Sequence, residues 1–187
     1  MRILGIDPGT NLLGWAILDT TGKKAQIVVM GVLDLAKLTD HYAKLKYIYE
    51  RITSIVKEYK PDELSIEAPF FGKNVQSMLK LGRAQGVCIA IAAANGMPVT
   101  EYAPMRIKQA ITGQGAASKE QVANILQRML HFTEMPGHLD ATDALAAAYC
   151  HFLQTISPLG APNSGSIGGP AKTWKEFALR NPSRIKK

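Results

Sequence analysis

The chain opens on apolar runs broken by turn residues. Ile3-Leu4-Gly5-Ile6 delivers Asp7 into a Pro8-Gly9 turn, and Gly14-Trp15-Ala16-Ile17-Leu18 comes next as a second run. A third, from Ala25 to Leu33, comes after Thr21-Gly22-Lys23. This pattern predicts a three-strand meander with turn residues where hairpins need them. From about Asp40 to Tyr59 the period changes, and Leu45, Ile48, Ile52, Ile55 and Val56 fall on one helical stripe. Pro61-Asp62 closes that helix, and residues 63–67 read as a fourth strand stopped by Ala68-Pro69. Asn74 is placed to cap a long helix that ends at Asn95-Gly96. Residues 99–102 predict a fifth strand. Three shorter helices come after it, over 104–111, 118–130 and 139–153, with Ser118 and Gln121 spaced as a capping box. The order β-β-β-α-β-α-β and then helices predicts an α/β fold, a five-stranded sheet mixed in direction with helices on both faces. No internal repeat interrupts it.

Beyond residue 154 the pattern stops. SPLGAPNSGSIGGPAK is rich in Ser, Gly and Pro and cannot bury enough apolar surface to order itself. The expected organisation is one domain over 1–154 and a tail over 155–187. The tail carries six Lys or Arg against Glu176, or +5, while residues 1–154 hold sixteen basic and fourteen acidic groups, or +2 of the total +7. The basic balance therefore comes largely from the tail and says little by itself about nucleic acid. Such a tail suits nonspecific DNA affinity, a solvated end or a partner-docking segment alike. Cys88 and Cys150 lie far apart in helix-like stretches, without Cys-x-x-Cys spacing, and read as small core residues of a reducing compartment. No signal-peptide pattern and no long uncharged apolar run is present, so a cytoplasmic protein without a membrane span is expected.

Four acids carry the candidate chemistry. Asp7 ends the first predicted strand and Glu67 the fourth, while Asp140 and Asp143 stand at i and i+3 near the start of the last helix. If strands one and four are neighbours, the alanine-rich helix HLDATDALAAAY can bring all four together. Two carboxylates about 5 Å apart at an effective dielectric near 20 repel by roughly 3 kcal/mol. A cluster of four then demands protons or cations. Hard oxygen ligands favour magnesium or manganese, and a pair of such ions can activate water and stabilise a leaving oxygen at a phosphate. Each acid taken alone has a plainer reading. Asp before Pro-Gly suits a turn, and Asp140 and Asp143 suit a helix N-terminus.

Four blocks narrow the choice. GIDPGTNLLGWAILD, SIEAPFFGKNVQSMLKLGRAQGV, EYAPMRIKQAITGQGAASKEQV and HLDATDALAAAYCH, in this order and spacing, resemble the RuvC family of bacterial Holliday-junction resolvases. The resemblance covers roughly residues 1–154. It implies a ribonuclease H-like fold and a homodimeric endonuclease that cuts two strands of a four-way DNA junction symmetrically, in recombination and repair. It implies magnesium as cofactor, with manganese able to replace it and two ions per site. It implies a branch-migration motor, RuvA and RuvB, as partner. Carried over residue by residue, Asp7, Glu67, Asp140 and Asp143 match the catalytic, metal-holding acids. Lys108 and Lys119 match basic positions beside the cleaved backbone, and Phe70 an aromatic that stacks on an opened base.

The residues themselves agree with these roles. Lys108 and Lys119 flank loop glycines Gly113 and Gly115, which suits phosphate contacts. Phe70-Phe71 precede the loop residues Gly72-Lys73-Asn74, and an exposed aromatic there can stack on an unpaired base, with Lys73 beside it for the backbone. Met78, Leu79, Leu81 and Val87 mark the long helix as a candidate two-fold interface. GQGAASK lacks the Walker spacing. His138 suits a helix-capping or solvent-facing position better than contact with a metal-bound water. Two other classes remain on sequence grounds. An actin-like ATPase also opens with a strand and an Asp-x-Gly hairpin but needs a duplicated half this chain lacks. A non-catalytic junction binder has no reason to keep four acids.

Overall fold

A computed structural model describes residues 1–69 and 74–156. Strand β1 (Arg2–Asp7) pairs antiparallel with β2 (Leu12–Thr21), which pairs antiparallel with β3 (Lys24–Asp34). On its other edge β1 takes β4 (Glu63–Glu67) in parallel, and β4 takes β5 (Val99–Tyr102) in parallel. The sheet order is β3-β2-β1-β4-β5, so strands one and four are neighbours and the sheet is mixed, as expected.

Side chains alternate across each strand and sort into two cores. Leu4, Ile6, Leu64 and Ile66 face helices α1 (His41–Tyr59) and α2 (Val75–Ala94), where Ile48, Ile52, Ile55 and Val56 supply the buried stripe. Ile3, Ala16 and Leu18 face the other layer, made by α3 (Pro104–Thr112), α4 (Lys119–Leu130) and α5 (Asp140–Ile156). Helix ends obey local chemistry. Asp40, Asn74 and Ser118 each accept a backbone N–H at their N-caps, and Ser118 forms the full capping box with Gln121. Helix α5 runs to Ile156, three residues past the predicted end, because Leu153 and Ile156 still pack against the second core.

Cys88 and Cys150 are buried free thiols, in line with their spacing. On α2, Leu79 is exposed, and Val87 is half-buried against the first core. No helix among the described residues is long and apolar enough to cross a membrane. Phe70, Phe71, Lys73 and the tail from residue 157 lie outside the described residues.

Candidate active site

The site is built where α5 crosses the carboxyl ends of β1 and β4. Alternation puts Asp7 on the same side of β1 as Ile3 and Gly5, the side that meets α5. Gly5 and Gly14 let the helix come close. A Cβ on Gly5 would stand 2.1 Å from the Ala144 carbonyl oxygen, and one on Gly14 1.8 Å from that of Asp140. Gly14 is also the cross-strand partner of Asp7, so the contact that admits the helix sets Asp140 beside Asp7. The sequence pattern places these two glycines only as strand residues. It does carry their signal, since a lone glycine inside a strand marks a close backbone approach.

A second row of contacts runs along β4. Residues 63, 65 and 67 share one side of the strand, and 151, 147 and 143 line one face of α5 at intervals of four. His151 bonds Glu63 through Nε2 at 2.5 Å, and its Nδ1 meets the Tyr102 hydroxyl at 2.8 Å. The neutral tautomer that donates from Nε2 and accepts at Nδ1 satisfies both bonds. Ser65 Oγ donates to the Ala147 carbonyl at 2.7 Å inside the core. Two strand residues advance about 6.6 Å and four helical residues about 6 Å, so the rows stay in step. The next pair in the row is Glu67 and Asp143.

Asp7, Asp140 and Asp143 each offer a carboxylate oxygen, and the three lie within 4.8 Å of one another. Glu67 stands outside that tightest group but within its field. Burial, then the charges of Glu67 and Asp143, push the Asp7 carboxyl up to about 8. Burial and the Asp143 charge push Glu67 up to about 7. Burial also raises Asp143, against the opposing pull of Lys119. Lys119, the first residue of α4, pairs with Asp143 and lies 3.7 Å from Asp140. It sits among the acids as their counter-charge, which spacing alone could not show. Lys108 on α3 bears on the same cluster, since its charge lowers both Glu67 and Asp143. His138 is exposed, and its carbonyl accepts the Ala141 N–H at 3.3 Å at the start of α5. The buried amide of Gln85 braces the end of β4, donating to Glu101 at 2.7 Å and toward the Glu67 carbonyl at 3.4 Å.

The model of the family described as crossover junction endodeoxyribonuclease RuvC matches residues 3–151. The chain belongs to the RuvC family. A RuvC from Bacteroides fragilis is 58% identical over 186 residues, which cover 98% of this chain and 95% of that protein. One from Porphyromonas gingivalis is 56% identical over 98% and 96% of the two chains. Among solved structures, Thermus thermophilus RuvC in complex with Holliday junction substrate superposes with a TM-score of 0.77 at 30% identity, covering 83% of this chain and 95% of that one. The five-stranded mixed sheet and its flanking helices are thus the ribonuclease H-like fold of RuvC.

Proposed function

We propose that the chain is a structure-selective endodeoxyribonuclease that resolves four-way DNA junctions by nicking two strands symmetrically, in recombination and repair. One observation carries this reading. In a RuvC-family chain, Asp7, Asp140 and Asp143 converge at one end of the sheet, with Glu67 in electrostatic reach. The Thermus thermophilus relative was solved on a Holliday junction, and this chain shares its fold.

The donor set fits hard divalent cations. It offers only carboxylate oxygens, and the cluster already draws the Lys119 ammonium inward as a counter-charge. Asp7, Asp140 and Asp143 would hold magnesium or manganese, two ions per site, with Glu67 as the fourth carboxylate. Bound there, such ions neutralise phosphate charge and acidify water for phosphodiester hydrolysis. The remaining tasks fall to the chain. Asp7 and Glu67 hold protons near neutral pH when cation-free and release them on loading. Lys119, whose side chain is half-exposed while paired to Asp143, supplies a cation beside the carboxylates for an incoming phosphate. Lys108 adds a second positive contact that positions the backbone without reading bases.

A two-fold junction needs two equivalent sites, so the reading includes a homodimer, for which the exposed Leu79 on α2 is available. Phe70, Phe71 and Lys73 follow the acid-bearing strand in sequence and are assigned to DNA binding, Phe70 at the junction centre. The motor formed by RuvA and RuvB and a cytoplasmic site of action belong to the same reading. The test is nicking of an end-labelled synthetic four-way junction with magnesium, beside a linear duplex of the same sequence and the Asp7→Asn variant. Symmetric cuts on the junction alone, absent in the variant, are expected. Tight binding without cuts, on a junction whose branch point can migrate through many sequences, would leave a binder and not a nuclease.

A further inference from the structure

The turn after Asp7 borders a second charged feature, on the α1–α2 side of the sheet. Thr10, Asn11, Thr39, His41, Lys44 and Lys80 line a cavity of about 120 Å³. Lys44 donates from Nζ to the Thr10 carbonyl at 2.8 Å and to Asn11 Oδ1 at 3.3 Å, which leaves the third of its donors without a partner among the described residues. Lys80 and Arg83 lie three residues apart on α2, and the charges of both reach His41. Neither has a carboxylate partner among the described residues. His41 opens α1, and its Nε2 is buried with no hydrogen-bond partner among the described residues. Burial, with Arg83 and Lys80 beside it, holds His41 below the usual histidine range. The acid it feels, Asp40, is committed to capping α1 through the Ala43 N–H at 2.7 Å. The first turn of this 19-residue helix carries no acidic side chain.

Solvated surface lysines explain part of this, but they do not leave a ring nitrogen buried and unpaired beside a cavity. Two lysines on the lining, the charge of Arg83 felt at His41, a buried imidazole nitrogen and a helix N-terminus around one small space have the chemistry that takes a tetrahedral oxyanion. Thr10 is three residues from Asp7, at most about 11 Å along an extended chain. A DNA strand advances about 3.4 Å per nucleotide.

We infer that this notch is a second backbone-phosphate site, which takes a phosphodiester of the bound DNA within about three nucleotides of the cut. The inference rests on the nuclease reading above. A phosphate drawn to Lys44 also fixes the 8–11 turn that continues from Asp7, so the site registers the strand against the acids.

The experiment measures binding of a dye-labelled synthetic four-way junction by the full-length protein over a salt series, in EDTA, for the unaltered chain, Lys80→Ala, Arg83→Ala and their double variant. Lys57→Ala, an exposed lysine at the far end of α1, controls for net charge. Each notch variant is expected to lower the salt slope by about 1, and Lys57→Ala to leave it unchanged. Sedimentation of each variant shows whether its oligomeric state is kept. A series of junctions with one neutral methylphosphonate each then locates the contact. Neutralising one phosphate within about three nucleotides of the cut should weaken binding of the unaltered chain about fivefold to tenfold, and the double variant hardly at all. Additive effects at every position, or slopes equal to that of Lys57→Ala, would overturn the site. Titration with inorganic phosphate at constant ionic strength, read on the His41 imidazole by NMR, separates the sources. Saturation by the free anion, with additive effects on DNA, would make this an anion site unrelated to DNA. An unaltered chain that fails to bind the junction would instead overturn the nuclease reading.

Discussion

Replacing Asp7 with asparagine should stabilise the cation-free protein, and more so as pH rises. Burial and the Glu67 and Asp143 charges raise the Asp7 carboxyl from 3.8 to about 8. Between those values the folded chain keeps a proton that the unfolded chain has released. Linkage then fixes the sign: stability falls as pH climbs through this window, and the loss is complete above about pH 8. At about 1.4 kcal/mol per pH unit, the cost reaches about 4 kcal/mol near pH 7. Asparagine carries no charge, so it removes the Asp7 part of the slope and relieves Glu67, but its amide retains a desolvation cost of about 1–3 kcal/mol. The net gain expected in EDTA is about 1–3 kcal/mol around pH 7, larger around pH 8 and shrinking toward zero around pH 5. For a domain of this size that is a Tm increase of about 3–10 °C. Thermal unfolding monitored by circular dichroism in EDTA, over a pH series, measures it. Repeating the series with manganese should raise the Tm of the unaltered chain and leave the variant nearly unmoved. A Tm difference that is flat with pH, or a variant less stable throughout, would refute the mutual repulsion of these acids.

The same geometry gives three further expected outcomes. Gly14→Ala places a methyl 1.8 Å from the Asp140 carbonyl oxygen. It should cost about 1–3 kcal/mol or more in urea unfolding and abolish nicking while junction binding persists. Lys119→Gln removes the counter-charge from Asp143 and Asp140. The Asp143 carboxyl should then rise further in a carbon-13 NMR titration, and the salt slope of junction binding should fall by about 1. Ser65→Ala deletes one buried hydrogen bond to α5. It should lower stability by about 1 kcal/mol, and a loss beyond about 3 kcal/mol would mean that Ser65 holds more than that bond.

The elements themselves are legible in the sequence because each is locally consistent. The α1 stripe, the Asn74 and Ser118 caps and the apolar β1 run give the same answer from propensity, pattern and packing. The four acids are legible as types and positions, Asp7 and Glu67 at the ends of apolar strands and Asp140 and Asp143 as an i, i+3 pair at a helix start. Their convergence is not, because it depends on β1 and β4 pairing in parallel, a long-range fact to which the period of either strand is blind. The closeness of α5 is hidden for a related reason. Gly5 and Gly14 announce an approaching backbone without saying whose. Lys119 shows the reverse limit. Its residue type announces a phosphate contact, yet its reach from the N-terminus of α4 puts its ammonium among the carboxylates.

The matched strides of β4 and α5 also determine where this chain tolerates added or lost residues. One residue inserted into α5 between Asp143 and Ala147 would turn the start of the helix by about 100° relative to its end. The Glu63–His151 and Ser65–Ala147 contacts could then be kept only by swinging Asp143 away from Glu67. Length in this helix is therefore a catalytic quantity, fixed as tightly as the acids themselves. The Gly22 turn between β2 and β3 meets nothing where a side chain would extend, so it is the place to lengthen the chain, open it for circular permutation or append a tag.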